Sequence, residues 1–293
     1  MTASTPLIRN IEVLVGPLSE DKGGGPKSSA VRVFSDGSRE ALRVRFNAKK
    51  TLLGSPNASV VEIYNLPPDT RARLRTTLAR VLLSTGHRGE ELSQLASGAL
   101  QSITHSKVGP DIVTKLGFLD GYGGMTRGLA NRSYGGPVTV ASAVRDLAGD
   151  LPGVTLGRVD IDGTFGLGGR VFAGRAADAL DDLSAQYGFS WSVQDGVFQA
   201  LSDLRAFPRS TDINAENRTL ISAQPILNGP MQIQTGVEIQ AVLDARVKPG
   251  ESVQLTSGTN PAVNGRLKVH NADFDGDTAD VSWTMTLQSF RVF

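Results

Sequence analysis

The feature that most constrains this chain is a period-two alternation of apolar and polar side chains, interrupted at short intervals by glycine or proline. Successive side chains of an extended strand point to opposite faces, so this alternation builds half-buried strands, whereas a helix needs an apolar stripe at every third or fourth position. In Leu42-Arg43-Val44-Arg45-Phe46 the apolar residues fall on one face and the arginines on the other, and Val61-Glu62-Ile63-Tyr64 repeats the pattern. The last strand reads most clearly, with Val281, Trp283, Met285 and Leu287 facing one way and Ser282, Thr284 and Thr286 the other. The 33 glycines and 14 prolines are spread over the whole chain, as many short strands and turns require. Gly23-Gly24-Gly25-Pro26, within Glu20 to Ser29, reads as a mobile loop and not as a domain boundary.

Three segments follow from the pattern. Residues 1–119 read as a mostly antiparallel β-domain carrying one short helix, opened by Pro67-Pro68-Asp69-Thr70, where proline suits the first turn and aspartate the positive end of the helix dipole. Strand-like runs resume at Arg80 to Leu83, Ala99 to His105 and Asp111 to Phe118. Residues 120–215 change character. Val140, Ala143, Val144 and Leu147 form the stripe of a helix capped by Thr139, and Ala176, Ala179, Leu180, Leu183 and Tyr187 form a second, ended by Gly188. Phe189, Trp191 and Val193 then alternate up to Asp195-Gly196 and the chain returns through Val197 to Leu201, a hairpin signal. Residues 216–293 are β again, with strands at Val237 to Ile239, Val253 to Leu255 and Leu267 to Val269 separated by the turns Lys248-Pro249-Gly250 and Asn264-Gly265. The fold class is therefore β-rich α+β: two antiparallel β-barrel domains, the second a barrel or half-barrel, with a small α+β domain between them.

Charge is nearly balanced, 30 lysines and arginines against 29 acidic residues, so no bulk field draws the chain to nucleic acid or an anionic membrane. The absence of cysteine excludes disulfides and thiolate sites and suits a reducing cytoplasm. Met1 to Asn10 does not read as a signal peptide, and no run approaches the ~18 apolar residues of a membrane span.

Catalytic and cofactor motifs are absent. No Gly-Lys dipeptide exists for a phosphate loop, and neither a Gly-x-Ser-x-Gly elbow nor a His-Glu-x-x-His helix occurs. His87, His105 and His270 stand apart from one another and read as residues with ordinary hydrogen bonds. Gly163 to Gly169 reads as a flexible loop between strands, because it does not lead into a helix whose N-terminus could receive a phosphate. Asp273, Asp275 and Asp277 alternate as calcium ligands can, but the order of a helix-loop-helix calcium site is not met, and Asp275-Gly276 reads better as a tight hairpin turn. No cofactor is expected. Arg71, Arg73, Arg75, Arg80 and Arg88 make a local basic group, read either as a solvated face or as a subunit interface meeting an acidic patch.

From Val61 to Leu66 the sequence resembles a known family. A strand ending in Ile63-Tyr64-Asn65-Leu66, a short helix, and a strand leading to Thr85-Gly86-His87-Arg88-Gly89 resemble the N-terminal barrel of baseplate hub proteins from tailed phages, with His87 standing where that family commonly has tyrosine. Leu95 to Leu100, Asp111-Ile112-Val113-Thr114 to Leu119-Asp120-Gly121, Ser133 to Leu147, Ala179 to Gly196, Gly236-Val237-Glu238, Val247 to Gly250 and Gly265 to Trp283 are similar in the same order. The resemblance implies a homotrimer whose two tube-like barrels per subunit make a pseudo-sixfold ring. That ring would join the tail tube protein to the central spike protein among other baseplate proteins, with DNA passing its lumen without specific binding. It also implies a place in the virion's tail baseplate, assembled in the host cytoplasm, and no enzymatic activity. The competing readings are a tail-associated cell-wall hydrolase, which needs a carboxylate pair or zinc, and a receptor- or carbohydrate-binding tail module, which needs exposed aromatics. Trp191 and Trp283 both stand at inward strand positions and are expected in the core.

Overall fold

The computed structural model describes residues 9–17, 30–74, 79–87, 89, 91–166, 168–228 and 233–291. The loop expected at Glu20 to Ser29 lies outside them. The first part of the chain contributes β1 (Arg9–Pro17), β2 (Val31–Ser35), β3 (Val44–Thr51), β4 (Asn57–Tyr64), α1 (Pro68–Arg73), β5 (Ala79–His87), β6 (Ser93–Val108) and β7 (Asp111–Asp120). The middle holds α2 (Tyr122–Arg127), β8 (Leu129–Tyr134), α3 (Val140–Gly149), β9 (Thr155–Asp160), β10 (Arg170–Arg175), α4 (Ala176–Tyr187), β11 (Phe189–Gln194) and β12 (Val197–Ser202). The last part adds β13 (Ser210–Asn214), β14 (Leu220–Asn228), β15 (Ile233–Val242), β16 (Ser252–Thr256), β17 (Gly265–Asp277) and β18 (Trp283–Arg291).

The first and last parts share one 13-stranded sheet, ordered β14-β15-β18-β17-β3-β4-β7-β6-β5-β1-β2, with β16 also on β17 and β13 on β16. Neighbours in it are antiparallel except the parallel pair of β13 and β16. Among the described residues β14 and β2 end the path, and no pairing closes it. Strand β17 is the seam. Its first residues pair with β16 (Leu255↔Gly265 to Ser252↔Lys268), its later ones with β3 (Thr51↔Asn271 to Arg45↔Asp277), and the register on β18 shifts between Val269 and Asn271. A bulge bends a strand and increases its twist, which lets one long strand leave one neighbour and join another.

Two apolar cores result. One is shared by the first and last parts, where Phe46 of β3 meets Trp283 of β18 edge to face at 5.9 Å between ring centroids. The other belongs to the middle part and gathers Val140, Ala143, Val144 and Leu147 of α3 with Ala176, Ala179, Leu180 and Leu183 of α4 over Trp191 and Phe198. Each fully buried aliphatic or aromatic side chain there contributes about 1.5–3 kcal/mol through removal from water. The stripes, Thr139 as a cap accepting from the Ser142 N–H at 3.2 Å, and Gly188 in the left-handed region all match expectation. So does the β11–β12 hairpin, whose Asp195 and Gly196 have φ of 57° and 82°, the pair of positive values a type I′ turn demands. Both tryptophans are buried.

Two expectations fail at the C-terminal hairpin. Asp275-Gly276 is not a turn: the two residues lie inside the ladder, opposite Thr284 and Trp283 on one side and Asn47 and Phe46 on the other, and β17 runs on to Asp277. Gly276 serves a close approach instead, since a Cβ there would stand 2.4 Å from the Phe46 ring. Val281 continues the alternation of β18 in sequence only; it precedes the strand and is 87% exposed. The loop at Gly163 to Gly169 does connect two strands, β9 and β10, and Phe165 anchors it in the middle core, its N–H donating to the Val138 carbonyl at 2.8 Å.

A buried charged joint between the sheet and the inserted hairpin

The middle part is tied to the sheet through the β11–β12 hairpin, and the ties begin with strand alternation. Along β3 the inward positions are Val44, Phe46, Ala48 and then Lys50, so period two carries a lysine to a place where its side chain is 3% exposed. A buried ammonium needs an anion and hydrogen-bond acceptors. It finds Asp195 at the hairpin tip, with Nζ to Oδ2 at 2.8 Å, and Lys248, from the connection before β16, reaches the same oxygen at 3.2 Å. The type I′ turn presents its backbone N–H groups outward, and the Asp120 carboxylate at the end of β7 accepts from both, Asp195 N–H and Gly196 N–H, the latter at 3.0 Å. Arg80 of β5 donates through Nη2 to Ser97 Oγ at 2.8 Å and to the Asp195 carbonyl at 3.4 Å.

Neutral bonds complete the joint. Asn57 Nδ2 donates to the Val193 carbonyl at 2.9 Å, Gln194 Nε2 to the Thr51 carbonyl at 2.6 Å, and Gln199 Nε2 to the Pro249 carbonyl at 3.1 Å. Lys268 of β17, itself buried, donates to the Ser202 carbonyl at 2.9 Å. The sheet supplies Lys50, Lys268, Arg80 and the Asp120 carboxylate, the connection before β16 supplies Lys248, and the hairpin supplies the Asp195 carboxylate, backbone carbonyls, turn N–H groups and two side-chain amides.

Electrostatics differ sharply between the two carboxylates. Burial works to raise Asp195, but the charges and hydrogen bonds of Lys50 and Lys248 outweigh it and hold this carboxyl below its ordinary value. Asp120 is pushed up to about 7, first by burial and then by the negative charge of Asp195, against the pull of Lys50, the hairpin N–H groups and Arg80. Lys268 is pushed down to about 8 by burial, with Asp203 opposing. For Lys268 the sign is that of a base which the fold prefers neutral. Between pH about 8 and its ordinary value of 10.5 the unfolded chain binds more protons, so stability rises with pH across that window. Lys268→Met is expected to flatten this rise in urea midpoints measured from pH 7.5 to 10; an unchanged slope would show that Lys268 is not its source.

The residues singled out in sequence are distributed differently. Arg71, half-buried, and Arg73, exposed, lie on α1, Arg80 is engaged in the joint, and Arg75 and Arg88 lie outside the described residues. Asp273, Asp275 and Asp277 each meet a neighbour across the sheet: Lys49 at 3.5 Å, Asn47 at 2.9 Å, and Arg43 at 2.7 Å. Among the described residues no three His, Asp or Glu side chains are grouped to hold a metal. His105 bonds Thr114 at 3.0 Å, His270 bonds Asn271 at 3.2 Å, and His87 packs against Trp283. In the sequence Asp195 and Lys248 stand as turn residues and Asp120 within a run that resembles the family, none with a sign of its charged partner, while Lys50 has one visible sign, an inward lysine in a period-two strand.

Comparison with solved structures defines the class of fold. No protein-family model matches the chain, and neither does any curated protein. Over 96% of its length it superposes on 96% of a tail protein from Neisseria meningitidis MC58, with a TM-score of 0.62 at 12% identity. The 43 kDa tail protein of prophage MuSo2 from Shewanella oneidensis is similar over 96% of this chain and 98% of its own, with a TM-score of 0.59 at 10% identity. An Escherichia coli component of the type VI secretion system, itself similar in structure to the bacteriophage T4 tail proteins gp27 and gp5, matches over 88% of this chain and 76% of its own, with a TM-score of 0.60 at 10% identity. The chain therefore has the fold of these phage tail and type VI secretion proteins.

Proposed function

We propose that this chain is a structural protein of a phage tail, the hub at the centre of the baseplate. The observation that carries this reading is the end-to-end likeness to tail proteins, which extends over nearly the full length of both partners in two of the three comparisons. In this reading residues 1–119 and 216–293 are two tube-like barrels, residues 120–215 are the α+β domain between them, and three copies assemble so that six barrels imitate a sixfold ring. The ring joins the hexameric tail tube to a trimeric spike, in virions assembled in the host cytoplasm. The seam at β17, where one strand serves both halves of the sheet, supports a fixed relation between the two barrels, and the buried joint supports a fixed seat for the domain between them. Arg71 and Arg73 on α1 are proposed to face an acidic patch of a neighbouring subunit. Near-zero net charge suits a lumen that passes DNA without gripping it. No catalytic step belongs to this reading.

Two measurements test it. Light scattering of the purified chain is expected to give the mass of three copies, and image reconstruction of the particle is expected to place three copies at the tail tip. A stable monomer found elsewhere in the virion, or a lysis band in a peptidoglycan zymogram, would overturn the assignment.

A further inference from the structure

We infer that the first half of the sheet is rolled into a barrel shut by a side-chain clasp, the guanidinium of Arg9 on the carbonyls of the β17–β18 loop, and that the seam beside β2 is where this barrel parts. The ladder sets the distances. Six strand-to-strand steps lead from β17 through β3, β4, β7, β6 and β5 to β1. At roughly 4.8 Å a step, those two strands would stand about 29 Å apart in a flat sheet. Arg9, the first residue of β1, nevertheless bonds the far side: its Nη1 donates to the carbonyls of Asp277 at 3.2 Å, Asp280, and Ser282 at 3.4 Å, and its Nη2 to that of Val281 at 3.0 Å. The sheet has come round on itself. Other contacts cross the same gap. The His87 ring of β5 lies 6.1 Å from the Trp283 ring of β18 between centroids, and the Arg9 guanidinium sits over that Trp283 ring at 5.3 Å. A Cβ on Gly37, in the connection after β2, would meet the Thr278 carbonyl at 3.3 Å and the Arg9 carbonyl at 3.7 Å. Among the described residues no ladder pairs β1 or β2 with β17 or β18.

Arginine suits this task. Four carbonyls presented by one loop need several donors from a single group, which the five N–H bonds of a planar guanidinium supply and the point charge of a lysine does not. The loop is tied independently to its neighbour in the ladder: Arg43, just before β3, bonds Asp277 Oδ2 at 2.7 Å, the Val44 N–H donates to Thr278 Oγ1 at 3.0 Å, and the Thr278 N–H donates to the Val44 carbonyl at 3.0 Å. Of these contacts only that of Arg9 comes from β1. Its loss therefore releases β1 and β2 from the loop without undoing the loop. A barrel closed by a ladder has no edge, whereas a clasp leaves β2 as a free one, and the seam can open there. The clasp rests on the reading of residues 1–119 as a barrel and not on the assignment to a tail, since its test uses the purified chain.

The chain holds no cysteine, so Phe34→Cys and Val281→Cys, both at exposed positions, take spin labels at those two sites alone. Pulsed EPR of this pair is expected to give one narrow distance far below the roughly 34 Å that seven ladder steps from β17 to β2 would set in a flat sheet. Arg9→Met keeps an apolar stem and removes the donors, and it is expected to lose the narrow peak in favour of longer distances. A second pair, Lys49→Cys with Val281→Cys, measures the loop against β3 and is expected to keep its peak in Arg9→Met. A distance near the flat value with Arg9 in place would sink the barrel reading and the clasp together. An unchanged Phe34 peak in Arg9→Met sinks the clasp alone, and so does equal broadening of both pairs, which would assign Arg9 to loop order. Should Arg9→Met fail to fold, Arg9→Lys is measured in its place: a broadened Phe34 peak supports the clasp, and the original width removes it.

Discussion

Asp195→Asn is expected to destabilise the protein by about 3–5 kcal/mol, the usual cost of removing one partner from a buried ion pair. The substitution is chosen to touch charge alone. Asparagine keeps the volume and tolerates the left-handed conformation at φ 57°, so the type I′ turn survives. What remains is Lys50, 3% exposed, with no carboxylate hydrogen-bonded to its ammonium. Lys248 suffers less, because its side chain is 39% exposed and water can replace the lost partner. Asp120 softens the loss as pH rises, because removing the negative charge of Asp195 takes away one of the causes that raise Asp120 and lets it ionise beside Lys50. Urea unfolding followed through Trp191, which lies in the same hairpin, measures it. Adding Lys50→Met to the variant is expected to restore much of the stability, since an apolar replacement of a buried pair is often neutral or better. A loss under about 1 kcal/mol in the single variant, or no recovery in the double one, would mean that the pair does not hold the joint.

How much of this was legible in the sequence depends on the range over which each signal acts. Local signals are legible: the stripes of α3 and α4, the Thr139 cap, the Gly188 stop and the Asp195-Gly196 turn each depend on residues within a few positions of one another. Asp275-Gly276 carries the same dipeptide as Asp195-Gly196 but lies in the ladder, because glycine answers two needs, positive φ and close approach, and only the Phe46 ring from the other half of the chain distinguishes them. Val281 extends an alternation past the strand's real start, since period two in sequence does not say where pairing begins. Lys50 announces itself as an inward lysine, yet its partner lies 145 residues away, and nothing in the sequence names that partner. Asp120 closes a strand run, Asp111 to Asp120, in which nothing signals that its carboxylate receives a hairpin turn.

The same separation of ranges explains why charge sits where it does. Each half of the sheet and the middle core can be built from alternation and stripes, which are non-directional and tolerate small rotations of one unit on another. Fixing the angle between units requires directional contacts, and these are the ones concentrated on the hairpin: two carboxylate-to-turn bonds, two lysine contacts to one oxygen, and three amide-to-carbonyl bonds. Any one net hydrogen bond is worth about 0.5–1.5 kcal/mol. Together they specify one orientation, which apolar burial alone does not.

Trp191→Ala is expected to cost about 3–5 kcal/mol, the usual penalty for truncating a fully buried large aromatic, because the transfer term and the cavity term add. Trp191 is 1% exposed, stacks on Phe198 with ring centroids 5.7 Å apart, and donates its Nε1–H to Asp181 Oδ1 at 2.8 Å. Its outer edge is also a contact with the sheet. Gly54, in the turn between β3 and β4, comes so near that a Cβ there would lie 2.5 Å from two carbons of the indole and 2.6 Å from Asp181 Oδ1. Gly54 has no positive φ that would confuse the reading, so Gly54→Ala acts through space alone. Its cost is expected to be about 1–3 kcal/mol in the wild type, the range for overpacking, and smaller once Trp191 is alanine, because the indole clash is gone and Asp181, no longer held by the indole N–H, is free to turn aside. The non-additivity in such a cycle measures contact between the insert and the sheet directly. If instead the two substitutions add, the indole is held by the middle core alone, and the charged joint must fix the insert's orientation without an apolar partner.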